Sequence, residues 1–168
     1  MFKKEVERLV LLGFLEVANY SEWGDPSFTQ PKPKSNQVRL VSGFRNLNKE
    51  LKQKPYSMKK INEMLLKVEV FQYATSFDLN MEYYHIQLSK NASNLYTIIL
   101  PWEKYFFKHL PMGVANSPEI FQQKMNDLSH VFEFIRTYIY DQLILTKEYW
   151  TDHVQNLVLT LNKLKEKD

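Results

Sequence analysis

Apolar residues recur at helical spacing in four stretches of the chain and alternate with polar residues in several others. Val6, Leu9, Val10 and Phe14 share one face of an opening helix. In "YSMKKINEMLLKV", Ile61, Met64, Leu65 and Val68 repeat the spacing, and Ser57 is the expected N-cap. In "NSPEIFQQKMNDLSHVF", Phe121, Met125 and Leu128 fall together, with Ser117 placed to cap and Pro118 suited to the first helical position. Val154, Leu157, Leu161 and Leu164 stripe a last helix from about Thr151. Strand patterns occupy "VRLVSGF" from Val38, "YATSFDL" from Tyr73, "LYTIILP" from Leu95 and "KYFFKHL" from Lys104. The link Trp102-Glu103 joins the last two as a hairpin. "RTYIYDQLILT" predicts a strand pair whose tight turn lies near Asp141. Asn19 to Gln37, rich in proline and turn-formers, predicts an extended connection with short strand pieces and a polar loop at Lys32 to Gln37. Helices and strands mix without regular alternation, which gives an α+β class with an antiparallel sheet.

Composition changes this picture little. The 168 residues suffice for one substantial domain or two small subdomains. A net charge of +3 permits a nucleic-acid partner without arguing for one. Aromatic residues, 14% of the chain, supply flat side chains for a core or for stacking on bases. There are no cysteines, which excludes disulfides and zinc–thiolate sites. No segment approaches the roughly 18 apolar residues of a membrane span, so no membrane partner is expected. The basic start and apolar run of "MFKKEVERLVLLGFLEVA" are interrupted by Glu5, Glu7 and Arg8, and an amphipathic helix fits better than a signal peptide. The expected location is intracellular, with cytoplasm and nucleus undistinguished.

Candidate chemistry centres on two aspartates. Asp78 ends an apolar strand in "SFDLN", where a carboxylate is either a cap or turn residue or a ligand. Asp141 lies at the tip of a predicted tight hairpin, a place aspartate also takes for its turn preference. Facing each other across adjacent strands, two such residues resemble the way polymerases hold a pair of Mg²⁺ ions, chemistry that usually needs three carboxylates. Arg39 and Arg45 are either surface residues or phosphate ligands. Tyr83 and Tyr84 follow Asp78 closely and can stack on a sugar or fill core. His85, His109, His130 and His153 show no metal-ligand spacing and read as structural or surface residues.

In order, these segments resemble the fingers and palm of a reverse transcriptase, most nearly of gypsy-class long-terminal-repeat retrotransposons. "VRLVSGFRNLN" is similar to V-R-x-x-x-D-F-R-x-L-N. "YATSFDLNMEYYHIQL" resembles F-x-x-L-D-L-x-x-G-Y-x-x-I. "LPMGVANSPEIFQQKMN" resembles L-P-F-G-L-x-N-A-P-x-x-F-Q, and "YIYDQLILTK" stands where the family has Y-x-D-D-x-L-v-x-S. The resemblance covers nearly the whole chain. It implies a right-hand polymerase fold, mainly fingers over residues 1–72 and mainly palm over 73–168 with fingers elements inserted. It also implies Mg²⁺, a deoxynucleoside triphosphate and an RNA or DNA template-primer. Asp78, the Leu79 carbonyl and Asp141 would bind metal. Arg39 would reach the triphosphate, and Arg45 would also belong to the nucleotide-binding set. Tyr83 would lie under the sugar, Met112 and Gly113 would line the nucleotide pocket, and Ser117 and Pro118 would approach the template.

Three departures bear on activity. Tyr140 takes the place of the first acid of the hairpin pair, and a phenol is neutral at pH 7 and bulkier than a carboxylate. Glu82 stands where the family has a small residue, and from that strand it does not replace the missing ligand. Gly43 replaces a fingers aspartate. The likeness ends at the last helix, before the thumb and ribonuclease H of full-length relatives, so an uncovered palm edge is expected to invite association. The expectation is a polymerase-derived domain with impaired catalysis. A non-catalytic nucleic-acid-binding module and a decayed reading frame without selected function stay open beside it.

Overall fold

The computed structural model describes residues 1–19, 21–31, 33, 38–52, 70–80, 82–129 and 132–165, with backbone alone at 82, 128 and 129. The predicted helix over 56–68 with its Ser57 cap, and all but Pro33 of the polar loop at 32–37, lie outside the described residues. The chain forms two compact units, Met1–Lys54 with Tyr83–Ser117, and Pro55–Glu82 with Pro118–Asp168.

The first unit opens with α1 (Phe2–Leu11), followed by β1 (Leu15–Val17), β2 (Asp25–Pro31), β3 (Val38–Ser42) and α2 (Arg45–Glu50). After a single 3₁₀ turn (Glu82–His85) come α3 (Lys90–Leu95), β5 (Thr97–Ile99) and β6 (Lys104–Phe107). The five strands run in the order β1-β6-β5-β2-β3. Every pairing is antiparallel except β2 with β5. Val6 and Leu9 of α1 join Leu15, Leu40, Phe44, Leu47, Ile98, Phe107 and Leu110 in the core. Phe44 meets Tyr96 and Phe107 edge-on at 5.8 and 6.1 Å.

The helical stripe of α1 is narrower than predicted, because the helix stops at Leu11 and leaves Val10 exposed. Gly13, at φ +78, supplies the left-handed residue of a Schellman closure. Its N–H donates to the Val10 carbonyl, and that of Phe14 donates to Leu9.

Two other elements depart from the sequence pattern. The expected irregular connection contains β2, a seven-residue strand with Pro26 and Pro31 inside it. Proline cannot donate to a ladder. β2 tolerates two because Asp25 and Pro26 pair only with β5, and Ser27–Pro31 only with β3. The strand expected from Leu95 begins at Thr97, because Leu95 closes α3, whose N-cap Ser89 accepts from the Ala92 N–H at 3.3 Å.

The second unit contains β4 (Tyr73–Asp78), α4 (Ser117–Ser129), β7 (Ile135–Tyr138), β8 (Asp141–Thr146) and α5 (Trp150–Lys165). Its sheet has the order β4-β8-β7, all antiparallel. Gln142, Ile144 and Thr146 are the buried residues of β8 and alternate with Asp141, Leu143 and Leu145 on the more open face. α5 packs on β8 and β4. It is rotated from the predicted stripe: His153 and Thr160 are buried, whereas Val154 and Leu161 are 38% and 47% exposed. The polar residues tolerate that position because they are bonded, Thr160 to the Asn156 carbonyl at 2.8 Å and His153 as set out below. Among the described residues no helix is long and apolar enough to cross a membrane.

Gly113 shows how tightly the first unit closes. Its φ is +95, and a Cβ there would lie 2.7 Å from the Ser42 carbonyl oxygen. Gly113→Ala is expected to cost about 2–3 kcal/mol, combining the left-handed backbone with a backbone clash. Urea unfolding of the variant beside the parent checks this.

Candidate catalytic carboxylates and nucleotide-side residues

β4 and β8 pair so that Asp78 is directly opposite Asp141. The Leu79 N–H donates to the Tyr140 carbonyl at 3.1 Å one step along. The aspartates therefore form a non-hydrogen-bonded pair, the position at which facing Cα atoms approach to about 4.5 Å and side chains are closest. Both are exposed on the open face. Like charges directly opposite each other repel, so a bound cation relieves the pair. Among the described residues there is no group of three or more His, Cys, Asp or Glu that could hold a metal ion.

Asp141 is not at the hairpin tip, as the pattern suggested. It pairs with Tyr138 and opens β8, and the turn itself is Ile139-Tyr140. Ile139 has φ +49, the single non-glycine residue with positive φ among those described. A two-residue hairpin needs positive φ to match strand twist, so the ladder imposes this on a β-branched residue that disfavours it. Tyr140 is half-buried in the turn, and its carbonyl bonds to β4.

The turn is held from α4 by Gln122, the last residue of the segment that resembles L-P-F-G-L-x-N-A-P-x-x-F-Q. Gln122 is 5% exposed. Its Oε1 accepts from the Ile139 N–H at 2.6 Å, and its Nε2 donates to Asn126 Oδ1 at 2.8 Å and to the Thr137 carbonyl at 3.3 Å. Thr137 Oγ1 donates to Gln142 Oε1 at 2.8 Å, linking the two hairpin strands. The signal was present in "EIFQQ": Gln122 follows Phe121 on the buried side of α4, where a polar residue must find partners.

The remaining sequence candidates lie in the first unit, apart from Pro118, which is half-buried in the first turn of α4. Arg39 is exposed on β3 opposite Gln30, and Arg45 is exposed at the start of α2. Tyr83 is half-buried in the 3₁₀ turn, and its carbonyl accepts from the Ile86 N–H at 3.0 Å. Its neighbour Tyr84 packs against the core: the ring stacks on Phe14 at 4.8 Å and on Phe107 at 6.2 Å. Burial, with Glu5 adding to it, pushes the Tyr84 phenol up to about 12 against the opposing pull of Arg8 and Arg39.

Met112 and Gly113 lie on a loop that runs into α4. Asn48 clamps it, with Nδ2 donating to the Gly113 carbonyl and Oδ1 accepting from the Ala115 N–H, both at 2.9 Å. Ser117, 1% exposed, donates from Oγ to the Pro111 carbonyl at 3.0 Å. Asn48 is the last letter of "VRLVSGFRNLN", so its place in the segment was legible although its job was not. His109 reads as structural, packed edge-on to Phe14 at 5.1 Å, and burial lowers its imidazole from the usual range.

Asp78 and Asp141 thus face each other beside a tight β-hairpin, in a sheet covered by α5 and tied to α4 through Gln122. The reverse transcriptase (RNA-dependent DNA polymerase) family profile matches residues 30–168, and the chain belongs to that family. It is 30% identical over 153 residues to a putative enzymatic polyprotein of Cassava vein mosaic virus, covering 87% of this chain and 24% of the relative. It is 29% identical to the Pol polyprotein of transposon opus and 27% identical to that of transposon gypsy, both of Drosophila melanogaster. These cover 98% and 95% of this chain, and 17% and 16% of the relatives. The chain thus spans a quarter or less of the length of each. In fold it matches a foamy viral protease-reverse transcriptase in complex with dsDNA, with TM-score 0.89 at 21% identity, over 98% of this chain and 34% of that one. The foamy viral protein in complex with an RNA/DNA hybrid gives TM-score 0.88 at 21% identity, covering 98% and 22%.

Gln122→Leu removes the acceptor for the half-buried Ile139 N–H while keeping side-chain volume. It is expected to lower stability by about 2 kcal/mol. It should also speed amide exchange at Ile139 more than at β4, which hydrogen-exchange NMR resolves.

Proposed function

We propose that this chain is the fingers-and-palm part of a retroelement reverse transcriptase whose nucleotide-adding chemistry is impaired at Tyr140. The observation that carries the reading is the hairpin: Asp78 and Asp141 face each other, and the adjoining turn residue offers a phenol where the family's pattern has a carboxylate. In this reading the five-stranded unit is the fingers side and the three-stranded unit the palm. Arg39 and Arg45 meet the triphosphate of a deoxynucleotide, Tyr83 underlies its sugar, and Met112 and Gly113 line its pocket. Ser117 and Pro118 approach an RNA or DNA template.

The family's cofactor is Mg²⁺, a hard cation that takes oxygen donors, several of them anionic in such sites. Two carboxylates and the Leu79 carbonyl suit one loosely held ion. They do not match a two-ion site, which spreads charge over both the attacking and the leaving oxygen. The loss therefore falls on the chemical step. Binding of template-primer, which rests on backbone contacts and positive side chains, is expected to survive. The complexes of the foamy viral protein with dsDNA and with RNA/DNA hybrid support nucleic acid as the partner of this fold.

Primer extension on an RNA template with Mg²⁺ tests the reading. The parent chain and the double variant Tyr140→Asp with Glu82→Gly are each joined to a thumb-bearing C-terminal extension. About 4 kcal/mol of missing charge stabilisation corresponds to roughly a thousandfold in rate, and the repaired chain is expected to lead by that order. Hybrid binding of the two should agree within a few-fold. Parent activity within tenfold of the repaired chain would sink the proposal.

A further inference from the structure

His153 is 1% exposed, and both its ring nitrogens are engaged. Nε2 lies 2.7 Å from Thr75 Oγ1 and Nδ1 lies 2.8 Å from Thr146 Oγ1. The three residues come from different elements: α5, β4 and β8. In the β4–β8 ladder, Thr75 is opposite Ile144 and Thr146 is opposite Tyr73. The two hydroxyls thus stand on a diagonal of the face that α5 covers. The Trp150 and Tyr73 rings lie 5.6 and 5.9 Å from the imidazole. A hydroxyl can donate or accept, so a neutral ring satisfies both threonines whichever nitrogen holds its proton.

This arrangement answers a question that the strand pattern leaves open. β4 reads Tyr-Ala-Thr-Ser-Phe-Asp, alternately half-buried and exposed, and it is an outer strand of its sheet. A one-residue slip would turn its inner residues outward and is excluded by burial. A two-residue slip preserves the alternation, yet it would set Asp78 opposite Leu143 or Ile139 and part the carboxylates. On the inner face β4 carries one threonine, beside Tyr73 and Phe77, and β8 carries one, beside Gln142 and Ile144. A two-residue slip in one direction brings Thr75 directly opposite Thr146, too close for an imidazole that bonds each hydroxyl through a different nitrogen, and in the other direction it carries the hydroxyls about 7 Å further apart along the strands.

We propose that His153 is a positioning residue: by bridging Thr75 and Thr146 it sets the β4–β8 register that places Asp78 opposite Asp141. The inference concerns where the carboxylates stand, and it holds whether or not they serve nucleotide addition.

The absence of cysteine makes register measurable by cross-linking. Ser76 and Leu143 are directly opposite. They share the strand parity of the aspartate pair, so they are a non-hydrogen-bonded pair on the open face. Ser76→Cys with Leu143→Cys reports the native register. Ser76→Cys with Leu145→Cys, and Ser76→Cys with Asp141→Cys, report slips of two residues in either direction. Disulfide yields are read by mass spectrometry under mild oxidation.

With His153 present, the native pair alone is expected to close. His153→Phe keeps a ring but removes both nitrogens. It should cut the native yield several-fold and let a slipped pair form, and His153→Gln should restore much of the native yield. Thr75→Val with Thr146→Val, nearly isosteric, should reproduce the His153→Phe result. Unchanged native-only cross-linking in the phenylalanine and valine variants would overturn the proposal. So would loss of cooperative melting in both, because that assigns the bridge to overall stability instead of register.

Discussion

The antiparallel ladder between β4 and β8 is the constraint on which the second unit turns. It joins a strand that arrives from one part of the chain to a hairpin that arrives much later, and it sets two aspartates side by side at its end. Each neighbouring feature serves that ladder. The Tyr140 carbonyl extends it by one bond, Gln122 fixes the turn beside it, and His153 spans it from the helix face. The two carboxylates stand side by side on the open face, and the surrounding hydrogen bonds hold in place the strands that carry them.

The first unit meets a similar demand by different means. Apart from Arg39 on β3, its candidate residues sit on loops, a 3₁₀ turn and helix starts, which lack the mutual support of a ladder. The segment from Pro111 to Ser117 is held instead by side chains that bond to main chain: Asn48 on Gly113 and Ala115, Ser117 on Pro111. Gly113 adds a steric requirement, since its backbone passes too close to Ser42 for any side chain. Loops that carry function are commonly made rigid in this way by a scaffold beneath them.

Apolar periodicity made some of this legible and hid the rest. It located α4, the β7–β8 hairpin and the strand bearing Asp78, where Phe121, Met125, Ile135 and Ile144 are buried as apolar residues of their elements. It misplaced the inward face of α5, where the buried positions are a histidine and a threonine and the leucine at 161 faces outward. It also gave β2 too little structure, since two prolines mask a strand that has only one partner at each point along its length. Asn48, Gln122 and His153 share one reason for being overlooked. Each is a polar side chain that earns a position at or near the interior by bonding to groups far away in sequence, and no local spacing rule registers such partners. The two aspartates were legible because residue type and strand-end position together narrow what a carboxylate can be doing there.

The Tyr140 carbonyl, paired to the Leu79 N–H, divides responsibilities within a single residue. The main chain at position 140 holds the sheet together, and every amino acid carries the carbonyl that does so. The side chain alone decides how much negative charge the turn presents. Scaffold and reagent are therefore independent at this position. A substitution there changes the charge beside Asp78 and Asp141 without rebuilding the hairpin, so the fold and the chemistry proposed for it can part at a single residue.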